Sequence, residues 1–403
     1  MQKIRKLFSL FLAILMLAAI LPISAEAVTP EAVEPVTVFY INPLYEGVID
    51  SEYLSSLISY TAPRLLASFE ASGTQYTDDL EAAVIDIRNA LKNRSASFSV
   101  NVKVPANTDG KELIDDLFKR ALRHTSEPDE GDYLHWHYAG YSGASSGYSD
   151  RTYNYLTIRY SVPYYTTAEQ EDMVTAAIAE AIDSFGFTPY TSDYCKVKTV
   201  YEYIMSICTY DHEHLNDDSY TRKHSAYAAL IDGTAVCQGY ALLLYRMLLE
   251  CGVECRLIAG VADNGNQIGG HAWNIVKLDG KWYNVDATWD DPRQENGISD
   301  RPYFLKCEST FRADHFRGDE YNTAAFHMAY PMAETDYIPD ESRDFDLVLA
   351  TADLTLLLRH VARISAVDDP EVLIRVDMDG NDILDAADAT ALARIIAAHT
   401  PAA

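Results

Sequence analysis

One helix-length stretch, VCQGYALLLYRMLLECGVEC at residues 236–255, constrains the fold more than any other part of the chain. From Ala241 to Glu250 the only charged side chains are Arg246 and Glu250, so a helix here is apolar almost all round. A helix of this kind is buried in a hydrophobic core. Cys237 falls in its first turn, where backbone N–H groups and the positive end of the helix dipole favour a thiolate. The stretch alone does not decide whether Cys237 is a nucleophile, half of a disulfide or a packing residue.

A strong hairpin pattern follows in HAWNIVKLDGKWYNVDATWDD, where two alternating runs flank the turn residues Asp279 and Gly280. If these two residues form the turn, Trp273 lies opposite Asp286 across the hairpin. His271 is then the diagonal neighbour of Asp286 on the same face, with Cβ atoms roughly 7 Å apart or less. The pattern therefore predicts a hydrogen bond between His271 and Asp286.

Cys237, His271 and Asp286 together suggest nucleophilic chemistry. An aspartate that fixes the tautomer and orientation of a histidine creates a general base. A thiol placed against that histidine is an activated nucleophile. The alternative is that Cys237 only packs in the core, because buried cysteines are common and the three residues are well separated in the sequence.

The segments around these residues resemble the core of the transglutaminase-like superfamily. The resemblance rests on AVCQGYALLLYRMLLECGVECRLIAG and GGHAWNIVKLDGKWYNVDATWDDP, and it covers about residues 165–310. Upstream, TSDYCKVKTVYEYIMSICTYD and HSAYAAL are similar to bacterial secreted members and to cytokinesis-associated transglutaminase-like proteins. The resemblance implies an α+β fold with a papain-like core, in which a helix packs on an antiparallel sheet. It also implies Cys237 as the nucleophile, His271 as the base and Asp286 as the acid that orients the base.

Acyl transfer is the chemistry that this resemblance implies. The Cys237 thiolate would attack an amide carbonyl of a protein or peptide, and backbone N–H groups at the helix start would bind the oxyanion. Water or an amine would then resolve the thioester, and no cofactor is required. We expect peptidase or deamidase activity, because water is in excess outside the cell. A glutamine–amine cross-linking transglutaminase and a non-catalytic peptide-binding protein of a cellulosome-like complex are the alternatives.

The first residues have the layout of a secretory signal peptide. Lys3, Arg5 and Lys6 form a basic start, Leu7–Ile23 is apolar, and Ala25–Ala27 fits a small-residue cleavage site. We therefore predict a signal peptide and a secreted, extracellular protein without membrane association after cleavage. An uncleaved anchor is the alternative, although the apolar run is short for a bilayer span. The formal net charge of −28 argues against nucleic acid as a partner.

Cysteine use is sparse for an exported chain, with six in the whole sequence and no spacing typical of a dense disulfide framework. Cys251 and Cys255 stand on either side of Gly252, the residue predicted to end the buried helix. A bridge between them is one interpretation. We favour the other, in which both are small apolar packing residues.

The residues before the resemblance are predicted to form an α+β module. In it, DYLHWHYAG and DRTYNYLTIRYSVPYY read as two strands joined by a Gly/Ser-rich loop, YSGASSGYS. His135 and His137 would then alternate on one strand and face the same side. No third metal ligand stands near them in the sequence, so we predict no metal there. The tyrosines of this region are typical of cross-strand packing.

The C-terminal residues contain a pattern typical of a calcium-binding loop, VDMDGNDILDAADATALARII. Hard oxygen donors at alternating positions of such a loop surround Ca²⁺, and a helix begins as the loop closes. Asp382 occupies the position that holds glycine in the usual EF-hand loop. A solvated acidic tail is the alternative. The predicted ligands are Asp377, Asp379, Asn381, the Ile383 carbonyl, Asp385 and Asp388.

SRDFDLVLATADLTLLLRHVARI, further upstream, is a weaker copy of the same pattern. Its five ligand positions are taken by Ser342, Asp344, Asp346, Ala350 and Asp353. Only the three aspartates keep a carboxylate ligand, so we expect this loop to bind calcium poorly or not at all.

Two loop–helix repeats of this kind resemble a dockerin, the module that attaches secreted enzymes to cohesins of a scaffoldin. The resemblance implies Ca²⁺ as cofactor, a cohesin as partner and attachment to the cell surface through the scaffoldin. The chain is thus predicted to consist of a signal peptide (1–27), an N-terminal α+β module (28–190), a transglutaminase-like catalytic domain (191–330), a linker (331–342) and a small α dockerin-like domain (343–403).

Overall fold

The computed structural model describes residues 31–41, 74–292, 301–339, 347–381 and 383–399. The predicted signal peptide and the loop residues Ser342, Asp344, Asp346 and Asp382 lie outside the described residues. Helices combine with two four-stranded antiparallel sheets, which confirms the α+β class. Among the helices of these ranges, none has both the length and the apolar character needed to cross a bilayer.

Two helices pack on an antiparallel sheet in the N-terminal part of the chain. Its elements are β1 (Glu31–Ile41), α1 (Leu80–Lys92), β2 (Ser97–Pro105), α2 (Gly110–Ala121), the one-turn α3 (Asp132–His135), β3 (Gly140–Ser149) and β4 (Tyr153–Ser161). The strands stand in the order β1-β3-β4-β2. Every second residue of β2, from Val100 to Val104, is buried in one core with residues of α1 and α2.

The Gly/Ser-rich segment predicted as a loop is itself the strand β3, and the strand predicted before it is wrong. DYLH forms the short helix α3, so His135 and His137 do not alternate on a strand. β3 runs so close to β4 that a Cβ atom at Gly147 would lie 1.9 Å from the carbonyl oxygen of Tyr155. Gly147 therefore does not form a turn; its missing side chain lets β3 pack closely against β4.

The central part of the chain contains the buried helix on its own sheet. Its main elements are α4 (Ala168–Ser184), α5 (Asp193–Ile207), β5 (Thr209–Tyr210), β6 (Thr234–Ala235), α6 (Cys237–Glu250), β7 (Cys255–Asp263), β8 (Ile268–Leu278), β9 (Lys281–Val285), α7 (Glu308–Phe311), β10 (His315–Arg317) and α8 (Ala324–Ala329). Single helical turns lie at Thr221–His224, Ala228–Asp232 and Asp319–Tyr321. Strands β7 to β10 form an antiparallel sheet in the order β10-β7-β8-β9. α6 packs on this sheet and is buried from Gln238 to Leu248, as its composition predicts.

Two glycines control the ends of α6. Gly252 follows the helix with a φ of 76°, as predicted for the residue that ends it. Near the start, a Cβ atom at Gly239 would lie 2.6 Å from the Cβ of Ala235 and 2.9 Å from the carbonyl oxygen of Ser225. The missing side chain lets the first turn pack directly on the preceding segment, which fixes the position of Cys237.

Residues 331–339, predicted as part of a linker, are ordered on this central domain. The Trp282 N–H donates to the Pro331 carbonyl, and Lys306 donates to the carboxylate of Asp336. The proline and acidic composition that indicates a linker here belongs to a segment fixed by main-chain and side-chain contacts. The domain boundaries themselves stay predictions.

Three helices form a separate small core near the C-terminus. They are α9 (Leu347–Val361), α10 (Pro370–Val376) and α11 (Ala386–His399). Leu357 and Leu392 are fully buried there together with Tyr190, which comes from the turn before α5. The Tyr190 hydroxyl donates to the Arg375 carbonyl over 3.5 Å. One aromatic ring from the central part of the chain thus completes this core.

Candidate active site

The β8–β9 hairpin has the predicted register. Asp279 and Gly280 form its turn with φ angles of 50° and 77°, the two positive values that a type I′ turn requires. The ladder runs without a shift up to the pair Asn274–Val285. This is the pairing expected when the two turn residues are the only unpaired ones, so the register prediction is confirmed.

His271 lies between Cys237 and Asp286. Its Nε2 donates to Asp286 Oδ2 over 2.7 Å, and the Cys237 sulfur is near enough to the ring to raise the pKa of His271. Since Asp286 takes Nε2, Nδ1 is the ring atom left for the thiol. Cys237 opens α6 and is half-buried, whereas His271 and Asp286 are buried. The three predicted residues therefore lie together, with the sulfur at the accessible end.

The side chains of His271 and Asp286 stabilise each other's charges. Burial lowers the pKa of His271, but the Asp286 carboxylate and the Cys237 sulfur outweigh it and raise this pKa to about 10. Burial raises the pKa of Asp286, yet the neighbouring imidazoles hold that pKa well below its usual range. At neutral pH, a charged imidazole therefore stands between the sulfur and a carboxylate.

The second oxygen of Asp286 is also fixed. Asp286 Oδ1 accepts hydrogen bonds from the backbone N–H groups of Thr288, at 2.9 Å, and Trp289, at 3.3 Å. The chain turns back on the carboxylate directly after it leaves β9. Asp286 is thus oriented by its own loop as well as by His271.

A second histidine, His315 of β10, reaches the same carboxylate and was not predicted. Its Nε2 lies 3.1 Å from Asp286 Oδ2, and its Nδ1 lies 2.6 Å from Asp314 Oδ1. β10 is one edge of the sheet and Asp286 follows the strand at the other edge, so the two side chains meet although their strands are not neighbours. No spacing in the sequence links His315 to the hairpin, because this contact depends on the tertiary arrangement of the strands.

Trp289 covers the two imidazoles. Its ring centroid lies 5.3 Å from that of His271 and 4.5 Å from that of His315. Trp273, which is buried, stands 5.3 Å from His315 on another side. The aromatic rings surround the polar groups with apolar surface, which strengthens their electrostatic interactions.

The two aspartates at the end of DATWDD anchor the site to the neighbouring helices. The Tyr201 hydroxyl of α5 lies 2.6 Å from the Asp286 carbonyl oxygen and 2.7 Å from Asp290 Oδ2. The Tyr240 hydroxyl of α6 donates to Asp291 Oδ2 over 2.7 Å. Burial raises the pKa of Asp290 to about 7. These contacts, which the sequence did not reveal, connect the loop of Asp286 to both helices.

Asn274, the last residue of HAWN, connects α6 to the sheet. Its Nδ2 donates to the carbonyl oxygen of Ala241 over 3.0 Å and to that of Arg256 over 3.3 Å. The first carbonyl belongs to α6 and the second to β7. This buried amide therefore fixes the helix that carries Cys237 relative to the strands that carry His271.

The cysteines carry no disulfide. Within the described parts of the chain, none of the six cysteines is bonded to another cysteine. Cys255 is fully buried, and burial raises the pKa of Cys251 to about 11. Both observations fit the packing interpretation of these two cysteines, and the sulfur of Cys237 is available for chemistry.

Three of the predicted calcium ligands lie together in the C-terminal loop. Carboxylate oxygens of Asp377, Asp379 and Asp388 are within 4.8 Å of one another. Asp388 closes the loop, because its two oxygens accept the N–H groups of Met378, at 2.8 Å, and Asp385, at 2.9 Å. Converging carboxylates are the donor set that Ca²⁺ prefers.

The side chains of two other predicted ligands bind the loop backbone. Asn381 Oδ1 accepts the N–H of Ile383 over 2.7 Å, and Asp385 Oδ1 accepts the N–H of Ala387 over 2.6 Å. The donor set therefore fits Ca²⁺ at the three converging carboxylates, with Asn381 and Asp385 supporting the loop.

Asp353, the closing residue of the first repeat, has an internal cationic partner. Arg375 donates from Nε to Asp353 Oδ2 over 2.7 Å and from Nη2 to Oδ1 over 3.2 Å. Asp353 is buried. A guanidinium on both oxygens neutralises the carboxylate, which supports the expectation that this repeat binds calcium poorly.

Two other groups of polar side chains contain residue types that bind metals. The donor atoms of His271, Asp286 and His315 lie within 4.8 Å of one another. The close contacts from both imidazoles to Asp286 are already hydrogen bonds, so we assign no metal there. In the polar loop DHEHLNDD, the Lys223 ammonium donates to the His214 carbonyl over 2.6 Å. Lys223 thus stabilises the conformation of this loop through its main chain.

Similarity to known proteins covers this part of the chain. Residues 177–287 match the family model of the transglutaminase-like superfamily. The chain is 35% identical over 94 residues to kyphoscoliosis peptidase of Mus musculus and of Homo sapiens. Each match covers 20% of this chain and 14% of the relative, so the chain spans only a small part of these curated proteins.

Two solved structures are similar at a lower level. The crystal structure of a TGase has a TM-score of 0.25 and 16% identity, covering 50% of this chain and 56% of the other. A candidate cysteine protease from Cytophaga hutchinsonii has a TM-score of 0.24 and 18% identity, covering 38% and 58%. The family match, by contrast, includes the helix start and the hairpin that carry Cys237, His271 and Asp286. Residues 177–287 of this chain are therefore similar to the transglutaminase-like superfamily in the segment that carries the candidate site.

Proposed function

We propose that this chain is a secreted cysteine enzyme that acts on amide bonds of proteins or peptides through Cys237. One observation carries the proposal: the His271 imidazole is 2.7 Å from the Asp286 carboxylate and near enough to the Cys237 sulfur for that sulfur to raise the pKa of His271. A thiol beside an imidazole that a carboxylate orients is the arrangement of nucleophilic cysteine catalysis. We expect hydrolysis, as a peptidase or a deamidase.

In the first half of the reaction, the Cys237 sulfur attacks the carbonyl carbon of the amide. The carbonyl oxygen becomes an oxyanion, which backbone N–H groups at the start of α6 would bind. The His271 imidazolium gives its proton to the leaving nitrogen as the C–N bond breaks. A thioester and a free amine, or ammonia, result.

In the second half, neutral His271 takes a proton from water as that water attacks the thioester. The carbon–sulfur bond breaks, the acid leaves, and the proton stays on His271, which restores the imidazolium–thiolate pair. Asp286 remains a carboxylate throughout and keeps the ring in place. An amine in place of water would give cross-linking.

Two considerations favour hydrolysis. The curated relatives carry the name peptidase, although they match only a short segment. Water is also the more abundant nucleophile outside the cell. The non-catalytic alternative is less attractive, because a protein that only binds peptides does not need all three of Cys237, His271 and Asp286.

The test is incubation of the full-length protein with a peptide library, with and without a primary amine, followed by mass spectrometry. Cleaved peptides indicate a peptidase, conversion of glutamine to glutamate a deamidase, and amine incorporation a transglutaminase. Cys237→Ala should abolish the products, whereas Cys195→Ala, at another half-buried cysteine, should not. Products that persist in Cys237→Ala, or Cys237 alkylation no faster than that of Cys195, would contradict the proposal.

We also propose that a signal peptide over residues 1–27 exports the protein and that the C-terminal helices bind a cohesin of a scaffoldin when Ca²⁺ is present. The support is the convergence of the Asp377, Asp379 and Asp388 carboxylates where the loop meets α11. Bound Ca²⁺ would neutralise these charges, and the loop would hold its shape for the partner. The scaffoldin would retain the enzyme at the cell surface.

Calcium binding and docking can be measured separately on the full-length protein. Calorimetric titration with CaCl₂ should give a binding heat that Asp379→Asn reduces and that Asp368→Asn, at an exposed site outside the loop, leaves unchanged. A cohesin pull-down should lose the protein when chelator is added. Absence of a calcium heat would favour the solvated acidic tail.

A further inference from the structure

We infer that His315 is a positioning residue of the active site, a second charged imidazole that orients Asp286 for His271. The inference rests on the proposed role of Cys237 and adds a residue that lies outside the three predicted from the sequence. The match to the superfamily ends at residue 287 and does not include His315.

Both ring nitrogens of His315 lie at hydrogen-bond distance from carboxylates. Nε2 is 3.1 Å from Asp286 Oδ2, and Nδ1 is 2.6 Å from Asp314 Oδ1. An ionised carboxylate only accepts hydrogen bonds, and a neutral imidazole has a single N–H. His315 therefore donates to both partners only as an imidazolium. The result is a row of alternating charges, His271, Asp286, His315 and Asp314.

The surroundings fix this ring and concentrate its charge. The side chain of His315 is 0% exposed, and that of Asp314 is 28% exposed. The ring centroid of Phe311 lies 4.1 Å and that of Trp289 4.5 Å from that of His315. In such an apolar environment, charged hydrogen bonds are stronger than in water.

Few titratable groups face His315 from the elements packed around it. His271 approaches from β8, Asp286 from the end of β9 and Asp314 from the residue before His315 itself. The Tyr303 hydroxyl donates to Asp314 Oδ2 over 2.8 Å. The charge of His315 is therefore balanced chiefly by the two carboxylates that it contacts.

The shared oxygen explains how His315 acts on the reaction. Asp286 Oδ2 accepts from His271 at 2.7 Å and from His315 at 3.1 Å. The second contact prevents the carboxylate from turning away from His271. The second cation also limits how tightly Asp286 holds the proton on His271, which must pass to the leaving nitrogen.

The experiment is the pH profile of Cys237 alkylation by iodoacetamide in the full-length protein, read by mass spectrometry of the peptide that contains Cys237. Removal of a buried cation raises the pKa of the groups around it. In His315→Gln we therefore expect both limbs of the profile, the pH range where the alkylation rate rises and the range where it falls, to move to higher pH by about 0.5–1 unit. His327→Gln, at an exposed histidine, is the matched control.

A second variant separates charge from position. His315→Phe fills the aromatic surroundings but cannot donate to Asp286, so the plateau rate should fall about 10-fold as well. His315→Gln keeps one donor and should retain most of the plateau. This rescue by a neutral donor is a result that a purely structural role would not produce.

The outcomes distinguish this inference from the proposed function. If wild-type Cys237 alkylation depends on His271 but a folded His315 variant keeps the wild-type limbs and plateau, the inference alone is overturned. Circular dichroism checks folding, and His315→Phe decides the question if His315→Gln does not fold. If wild-type Cys237 reacts like Cys195 and His271→Ala changes nothing, the proposed function fails and the inference fails with it.

Discussion

Replacement of Asp286 by asparagine preserves the shape of the side chain but should strongly destabilise the central domain. Asp286 Oδ2 accepts from His271 and His315, and Oδ1 accepts from the N–H groups of Thr288 and Trp289. An amide has one accepting oxygen and one donating NH₂ group. In either orientation, the two imidazoles lose their hydrogen bonds to a charged oxygen and keep at most hydrogen bonds to a neutral amide.

The magnitude follows from these contacts. A hydrogen bond to a charged group contributes about 1.5–3 kcal/mol and one between neutral groups about 0.5–1.5 kcal/mol, so the weakening of two predicts a fall of about 2–3 kcal/mol in the free energy of unfolding. Domains commonly have a total of about 5–15 kcal/mol. The variant should also lose the carboxylate that raises the pKa of His271, so that burial leaves this imidazole neutral at pH 7.

Asp290→Asn is the matched control in the same loop. Asp290 Oδ2 meets the Tyr201 hydroxyl at 2.7 Å, and this hydroxyl also lies 2.6 Å from the Asp286 carbonyl oxygen. The hydroxyl can donate to that carbonyl and accept from the new NH₂ group. With its pKa raised to about 7, Asp290 already resembles a neutral side chain near neutral pH. We expect a change within about 0.5–1 kcal/mol.

Urea unfolding followed by tryptophan fluorescence measures both variants. Trp136, Trp273 and Trp282 are buried in the core that contains α6, so the signal reports on this domain. Asp286→Asn should unfold at much lower urea than Asp290→Asn. If the two variants unfold together, the hydrogen-bond reasoning is refuted.

Further predictions concern packing, pH and calcium. Gly239→Ala should lower the free energy of unfolding by about 1–3 kcal/mol, because the added carbon would lie 2.6 Å from the Cβ of Ala235; a wild-type thermal melting curve would contradict this. Because the pKa of His271 is raised to about 10, protonation of this imidazole adds to the free energy of unfolding. This contribution is fully present below about pH 6.5 and is lost as the pH rises through about 10. Urea titrations should show this loss in wild type, and an equal loss in Asp286→Asn would argue against it. CaCl₂ should raise the melting temperature of the C-terminal helices, and Asp388→Asn should remove that shift; equal shifts in both proteins would exclude the loop as the calcium site.

Features that depend on short-range rules could be predicted from the sequence. The apolar composition of α6 requires burial, and the Asp279-Gly280 turn fixes the register of two strands. That register alone is enough to place His271 next to Asp286. Much of the site is therefore encoded within a few residues of the turn.

Features that depend on tertiary shape could not be predicted in this way. His315 comes from β10 and meets Asp286 after β9, at opposite edges of the sheet, and no local pattern in the sequence relates these two strands. β3 was missed because glycine and serine usually indicate a loop, whereas Gly147 permits close contact with a neighbouring strand. Residues 331–339 have the composition of a linker, but their partners lie elsewhere in the chain.

The position of Tyr190 has a practical consequence for any shortened version of this protein. A cut between the central domain and α9 would expose the ring of Tyr190, which is now 1% exposed. The separated C-terminal fragment would in turn lack the Tyr190 ring, which packs in its hydrophobic core with Leu357 and Leu392. Fragments designed for crystallisation or for fusion to another protein should therefore keep Tyr190 with α9, α10 and α11.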